Sequence, residues 1–242
     1  MKPGRLIAVG VGPGDPELMT LKAVRTLGSA DAVAYFGKAG NGSNARSIAA
    51  PHLRPGIEEM ALEYPVTTEL ETGDPAYRTM IDAFFDEAAK RLAAMLDAGR
   101  TVAVLAEGDP LFYGSYMHLH VRLSPRYACE IVAGVTGMSG CWSAAETPIA
   151  QGEDVFSVLP ALLAENELAR RLAEADAAVI MKVGRHLPKI RRALRAAGRL
   201  ECAIYVERGT MADGVAMPLA QKRDDSAPYF AVVLVPGWET RP

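Results

Sequence analysis

Short, unbroken apolar runs alternate along this chain with longer stretches whose apolar residues recur at helical spacing. Leu6-Ile7-Ala8-Val9-Gly10 is the first run. It has no polar alternation and ends in glycine, the pattern of a strand buried on both faces. Leu18, Leu21, Val24 and Leu27 then predict a helix over 17–27, and 32–36 predicts a second strand. A polar, glycine-rich loop follows over 37–44, and 57–62 is a third candidate strand. Met80, Phe84, Ala88, Leu92 and Met95 mark one face of a long helix over 74–98. Asp74-Pro75 opens that helix as cap and first turn, and Gly99 closes it. Thr101 to Ala106 is a strand, and 111–123 the next helix.

Beyond Ser124-Pro125-Arg126-Tyr127 the elements shorten. Strands are predicted over 130–133, 155–159, 177–183, 203–206 and 230–235. Helices are predicted over 138–145, 165–173 and 187–197. A turn-rich stretch separates the last two strands. Strand and helix alternate in both halves, so the fold class is α/β. The break at 124–127 divides the chain into an N-terminal α/β domain, 1–123, and a C-terminal one, 128–242.

Composition narrows the classes of function. Half of the 242 residues are apolar and the formal net charge is −3. No strong field draws nucleic acid or an anionic membrane, so neither is expected as a partner. Cys129, Cys141 and Cys202 are odd in number and far apart, with no metal or redox spacing, which fits a reducing, cytoplasmic setting. The apolar run at 6–11 is too short for the core of a signal peptide, and no run reaches membrane-spanning length. Of the four histidines, only His118 and His120 lie close together. Two apart on a predicted helix, they point to different faces, so no metal site is expected.

Three glycine loops follow predicted strands. Gly10-Val11-Gly12-Pro13-Gly14-Asp15-Pro16 lacks the Lys-Ser/Thr of a phosphate loop. It fits a dinucleotide site poorly, because the third glycine is misplaced, Pro13 removes a donor, and Phe36-Gly37 ends the second strand without an acid. A turn with no ligand role remains open for it. In Glu107-Gly108-Asp109-Pro110, Asp109 can accept hydrogen bonds from a ligand, or it can simply cap the next helix. In Gly134-Val135-Thr136-Gly137, backbone donors and the Thr136 hydroxyl can meet a ligand, or the small residues can serve close packing.

Taken together, Gly-x-Gly-Pro-Gly-Asp from residue 10, Glu-Gly-Asp-Pro-x-x-Tyr-Gly from 107 and Gly-Val-Thr-Gly-x-Ser-Gly from 134 resemble the tetrapyrrole methylase family, the class III methyltransferases. Segments 108–117, 134–142 and 151–155 are similar to the branch that methylates C-20 of precorrin-2 or of its cobalt-bound relative. The resemblance implies two α/β domains with a cofactor cleft between them, S-adenosylmethionine as methyl donor leaving as S-adenosylhomocysteine, a tetrapyrrole substrate and a homodimer. It places Pro13, Glu107, Gly108, Asp109, Tyr113, Thr136 and Gly137 at the cofactor, with Met181, Lys182, Val206 and Phe230 toward its adenosyl end. Tyr113 departs from the apolar residue often found there, and Gly137 from alanine.

Methyl transfer from a sulfonium expels a neutral thioether, so no acid is needed and no catalytic triad is expected. The substrate carries several carboxylates. Lys38, Arg46 and Arg185 are the candidates to bind them, against the plain alternative of solvated surface charge. The residue that takes the final proton is not identified by pattern. Three further classes are weighed: a methylase of another tetrapyrrole carbon, of diphthine or of ribosomal RNA; a non-catalytic carrier of the cofactor or a labile tetrapyrrole; and an NAD-dependent oxidoreductase. The absence of a concentrated basic patch speaks against RNA, and the missing acid after the second strand against NAD.

Overall fold

The computed structural model describes residues 3–38, 40–65 and 74–237. The chain forms two compact units, Met1–Gly137 and Met138–Pro242, each built on a five-stranded sheet.

The first unit runs β1 (Arg5–Gly10), α1 (Leu21–Ser29), β2 (Ala32–Lys38), α2 (Asn44–Ala49), β3 (Glu58–Tyr64), α3 (Pro75–Asp97), β4 (Thr101–Ala106), α4 (Tyr116–Leu123) and β5 (Ala128–Val132). The sheet order is β3-β2-β4-β1-β5, and every pairing is parallel. Strand alternation sends Leu6, Ala8, Val102 and Val104 to one face, where Phe85, Leu92 and Leu96 of α3 and Leu119 of α4 cover them. Ile7, Val9, Ala103 and Leu105 go to the other face, under Ala23 and Leu27 of α1 and Ala45 and Ile48 of α2.

This order fixes where loops can gather. From β1 the chain passes β4 to reach β2, and from β4 it passes β1 to reach β5. Adjacent strands thus send their connections to opposite faces, which makes their carboxyl ends the switch point where open α/β sheets take ligands.

The second unit runs α5 (Gly137–Ala144, starting where the division falls), β6 (Phe156–Pro160), α6 (Glu165–Glu174), β7 (Ala177–Met181), α7 (Leu187–Ala196), β8 (Ile204–Glu207), β9 (Val215–Pro218) and β10 (Ala231–Val235). The order is β6-β7-β10-β8-β9, with only β6 and β7 parallel. Leu168 and Leu172 of α6 and Ile190 and Leu194 of α7 pack on one face around Ile180, Tyr205 and Val233. Met138, Cys141 and Trp142 of α5 pack on the other, against Val179, Val206, Val232 and Leu234.

Several expectations are corrected. The break does not fall at 124–127: β5 lies beyond it yet pairs along β1 from Ala128 to Val132, so the first unit continues to Gly137. The helix expected over 17–27 is divided. Asp15 caps a short 3-10 turn at Pro16–Leu18 through the Glu17 N–H (2.9 Å), and Thr20 starts α1 afresh by accepting from the Ala23 N–H (3.1 Å). The helix expected over 111–123 starts only at Tyr116. The loop over 37–44 leads into the short helix α2, and the turn-rich stretch before β10 contains β9.

Candidate functional site

In the first unit the loops after β1, β4 and β5 meet on bare main chain. The Val11 N–H donates to the Ala106 carbonyl (2.9 Å) and the Gly108 N–H to the Gly12 carbonyl (2.8 Å), so the first two loops are joined by an antiparallel bridge. A Cβ on Gly10 would sit 2.6 Å from the Gly134 nitrogen and 2.7 Å from the Gly108 oxygen. A Cβ on Gly134 would fall on the Gly108 carbonyl oxygen and lie 2.9 Å from the Gly10 Cα. Glycine is therefore required at both positions by close approach of backbones.

Asp109 fastens this junction. One carboxylate oxygen accepts from the Leu111 N–H (2.9 Å), the other from the Gly134 N–H (3.1 Å). It is thus a turn cap and a tie between the β4 and β5 loops at once. The turn it caps holds Tyr113 in the left-handed region (φ 54°), with its ring half exposed and edge-on to Phe112. Pro13, Gly108, Asp109, Thr136 and Gly137 are brought together at this end of the sheet.

The main chain beside them is open. A Cβ on Gly137 would meet nothing within 4 Å, so open space adjoins the main chain there. Replacing Gly137 by Ala should leave stability unchanged or raise it by up to about 1 kcal/mol, since Gly137 opens α5. Replacing it by Leu should fill that space and keep the fold, as read by an unchanged urea midpoint.

Glu107, the first residue past β4, is set apart by its surroundings. Burial pushes its carboxyl up to about 7, against hydrogen bonds from the Asn44 side chain and the Ala45 N–H that favour the charged form. Asn44 and Ala45 open α2, so Glu107 ties the segment after β2 to the end of β4. Sequence reading assigned nothing to Asn44. Its only signal was its place at the end of a glycine-rich loop.

The substrate candidates are placed differently. The Arg46 guanidinium is committed to Glu59 of β3, with Nε to Oε2 at 3.0 Å and Nη2 to Oε1 at 2.8 Å. That pairing holds the Glu59 carboxyl below its usual range, burial opposing. Arg46→Ala should therefore loosen α2 and lower stability by about 1 kcal/mol, measurable by urea unfolding, because a bidentate but half-exposed pair contributes little more. Lys38 closes β2, and its backbone bridges to Gly42. Arg185 is exposed in a 3-10 turn of the second unit.

In the second unit, β7 and β8 run alongside β10 in opposite sense to it, so Met181, Glu207 and Phe230 share one end of that sheet. Lys182 (φ 59°) and Arg208 (φ 46°) both turn left-handed as the chain leaves a strand, and the Arg208 N–H donates to the Phe230 carbonyl (2.9 Å). Val206 is buried against the α5 side. The loop after β8 closes on itself through Met211 N–H to the Arg208 carbonyl (2.8 Å) and an Arg208–Asp213 ion pair (2.9 Å).

The remaining reactive groups are quiet. Burial pushes the Cys141 thiol up to about 11. His118 stacks on Phe85, and His120 shares a hydrogen bond with the buried Tyr116 (3.2 Å). Among the described residues no group of His, Cys, Asp or Glu could hold a metal, and no helix is long and apolar enough to cross a membrane.

A family model described as Tetrapyrrole (Corrin/Porphyrin) Methylases matches residues 5–220. The chain belongs to this family. The methylase is 62% identical over 239 residues, 99% of its own length and 98% of the relative's, to a precorrin-2 C(20)-methyltransferase of a Sinorhizobium species. It is 32% identical to a cobalt-precorrin-2 C(20)-methyltransferase of Salmonella typhimurium, with 96% of each chain covered. Its fold is shared with a uroporphyrin-III C-methyltransferase of Thermus thermophilus solved with S-adenosyl homocysteine, at TM-score 0.67 and 24% identity over 96% of this chain and 92% of that one.

Proposed function

We propose that this methylase transfers a methyl group from S-adenosylmethionine to C-20 of precorrin-2, giving precorrin-3A in cobalamin biosynthesis. The observation that carries this reading is the 62% identity across nearly the whole of both chains with the Sinorhizobium enzyme of that name. The glycine cradle of the first unit supports the donor: main chain stands bare where a ligand must approach closely, and no side chain blocks it at Gly137.

S-adenosylmethionine supplies an electrophilic methyl group on a sulfonium. When bound, it would give up that methyl to C-20 with loss of a neutral thioether that needs no protonation, and C-20 would then release a proton. The chain's share is orientation and exclusion of water. Pro13, Gly108, Asp109, Thr136 and Gly137 shape the edge of the first sheet for the donor, with Glu107 and Tyr113 beside them. In the second unit Met181, Lys182, Val206 and Phe230 are assigned to its adenosyl group. Lys38 and Arg185 are the cations assigned to substrate carboxylates. Arg46 serves this role only by giving up Glu59. We further propose a cytoplasmic homodimer.

The 32% identity to the Salmonella relative carries a second reading, in which the substrate already holds cobalt. Incubation with the donor and either precorrin-2 or its cobalt complex, followed by mass measurement, separates the two. Gain of one methyl on precorrin-2 is expected. Gain on the cobalt complex alone would reassign the substrate, and gain on neither would remove the assignment.

A further inference from the structure

We propose that Glu107 is the counter-charge for the sulfonium, a carboxylate at the β4 end that makes the site prefer the cationic donor to its spent, neutral form. The inference rests on the donor reading above and adds a specificity-determining residue to it.

Three observations converge on Glu107. It is the first residue beyond β4 at the switch point of the first sheet, directly before the Gly108 that bridges to Gly12. Its side chain is fixed, because Asn44 and the Ala45 N–H hold it from α2. It is partly buried, and among the described residues no cation acts on its carboxyl, which is influenced by burial and those two hydrogen bonds. A carboxylate placed so is costly unless a positive charge arrives. The donor's sulfonium is such a charge, and methyl transfer removes it.

The charged neighbours do not supply one. Asp15 after β1 caps its own turn, and Asp109 is bonded to two backbone amides. On β2, Tyr35 hydrogen-bonds Glu59. Arg46 of α2 is paired to that same Glu59 of β3. Lys38 closes β2, and none of these groups enters among the influences on Glu107.

The carboxyl titrates near 7, which gives the inference a readout in binding. Above that point Glu107 is ionised and attracts the sulfonium. Below it the group is neutral, and the sulfonium gains nothing unless a proton leaves. The spent donor carries no charge on sulfur and is indifferent or slightly disfavoured as Glu107 ionises. The amino and carboxylate groups common to both ligands cancel in a ratio of affinities.

Calorimetric titration with S-adenosylmethionine and, separately, S-adenosylhomocysteine at about pH 6 and about pH 8.5 brackets the transition. In the unaltered protein the preference for the cationic donor should rise roughly tenfold between the two. In Glu107→Gln the preference should be independent of pH. A preference that stays flat in the unaltered protein while both ligands bind overturns the inference and leaves the donor reading intact, and so does a Gln variant that keeps the slope. Failure of both ligands to bind the unaltered protein overturns the donor reading, and this inference with it. The slope in the unaltered protein decides even where the variant does not fold.

Discussion

Gly134→Ala is expected to destabilise the first unit by about 3 kcal/mol or more, at the upper end of what a single added methyl costs. Its Cβ has no room on either side, with the Gly108 carbonyl on one and the Gly10 Cα at 2.9 Å on the other. Both obstacles are main chain, so no rotamer change relieves the overlap. The loops must separate instead. That breaks the hydrogen bond from the Gly134 N–H to Asp109 (3.1 Å) and strains the Gly108–Gly12 bridge (2.8 Å). Lost stability and lost binding of S-adenosylhomocysteine should therefore appear together, the first in the urea midpoint and the second by calorimetry. An unchanged midpoint would show that the three loops do not form one rigid junction. Gly137 is the internal comparison. It belongs to the same motif but has open space at its Cβ, so the two glycines separate close packing from access.

That distinction was beyond the reach of the sequence. Spacing identifies Gly10, Gly108 and Gly134 as members of three loops after three strands, but their mutual approach follows from the order β4-β1-β5, which is set by long-range pairing. The same pairing hid the unit boundary, since Ser124-Pro125-Arg126-Tyr127 reads like a linker until β5 is seen beside β1. Strands buried on both faces were easy to read, because nothing polar interrupts Leu6 to Val9 or Val102 to Ala106. α2 was missed because six residues cannot establish a helical period, and only Ala45, Ile48 and Ala49 of them are buried. β9 was missed because it is an edge strand whose four residues are mostly exposed. Asp109-Pro110 looked like the start of α4. The chain instead spends Leu111 to Gly114 in a tight turn, where a Cβ on Gly114 would lie 2.7 Å from the Pro110 oxygen.

Of the two readings left open for Asp109, the structure shows the cap. It caps the turn before α4 and ties a neighbouring loop, so both its carboxylate oxygens are engaged by main-chain donors. Arg46 teaches the complementary lesson. A cation next to a glycine loop invites assignment to an anionic substrate, yet Glu59, 13 residues on in the next strand, already answers its charge.

Glu107→Gln should make the protein more stable above neutral pH than it is with the native residue, and the sign follows from the direction of the shift. Burial raises the carboxyl from 4.5 to about 7 in the folded state. The protonated form is thus favoured by folding, and its contribution is complete below about 4.5. It is lost as pH rises toward and through 7, because the buried group must then ionise. A shift of this size corresponds to about 3 kcal/mol across that window. Glutamine keeps the shape and an acceptor for Asn44 or Ala45, and it never ionises. The difference in unfolding free energy between variant and native protein should consequently grow in the variant's favour from about pH 5 to about pH 8. Urea titrations at those two values measure it, and curves that stay parallel would mean that Glu107 is not buried as described. Saturating S-adenosylmethionine adds a second test in the same assay. If the sulfonium neutralises Glu107, the ligand should remove most of the native protein's penalty at the higher pH, while S-adenosylhomocysteine leaves it in place. The glutamine variant has no penalty for either ligand to relieve.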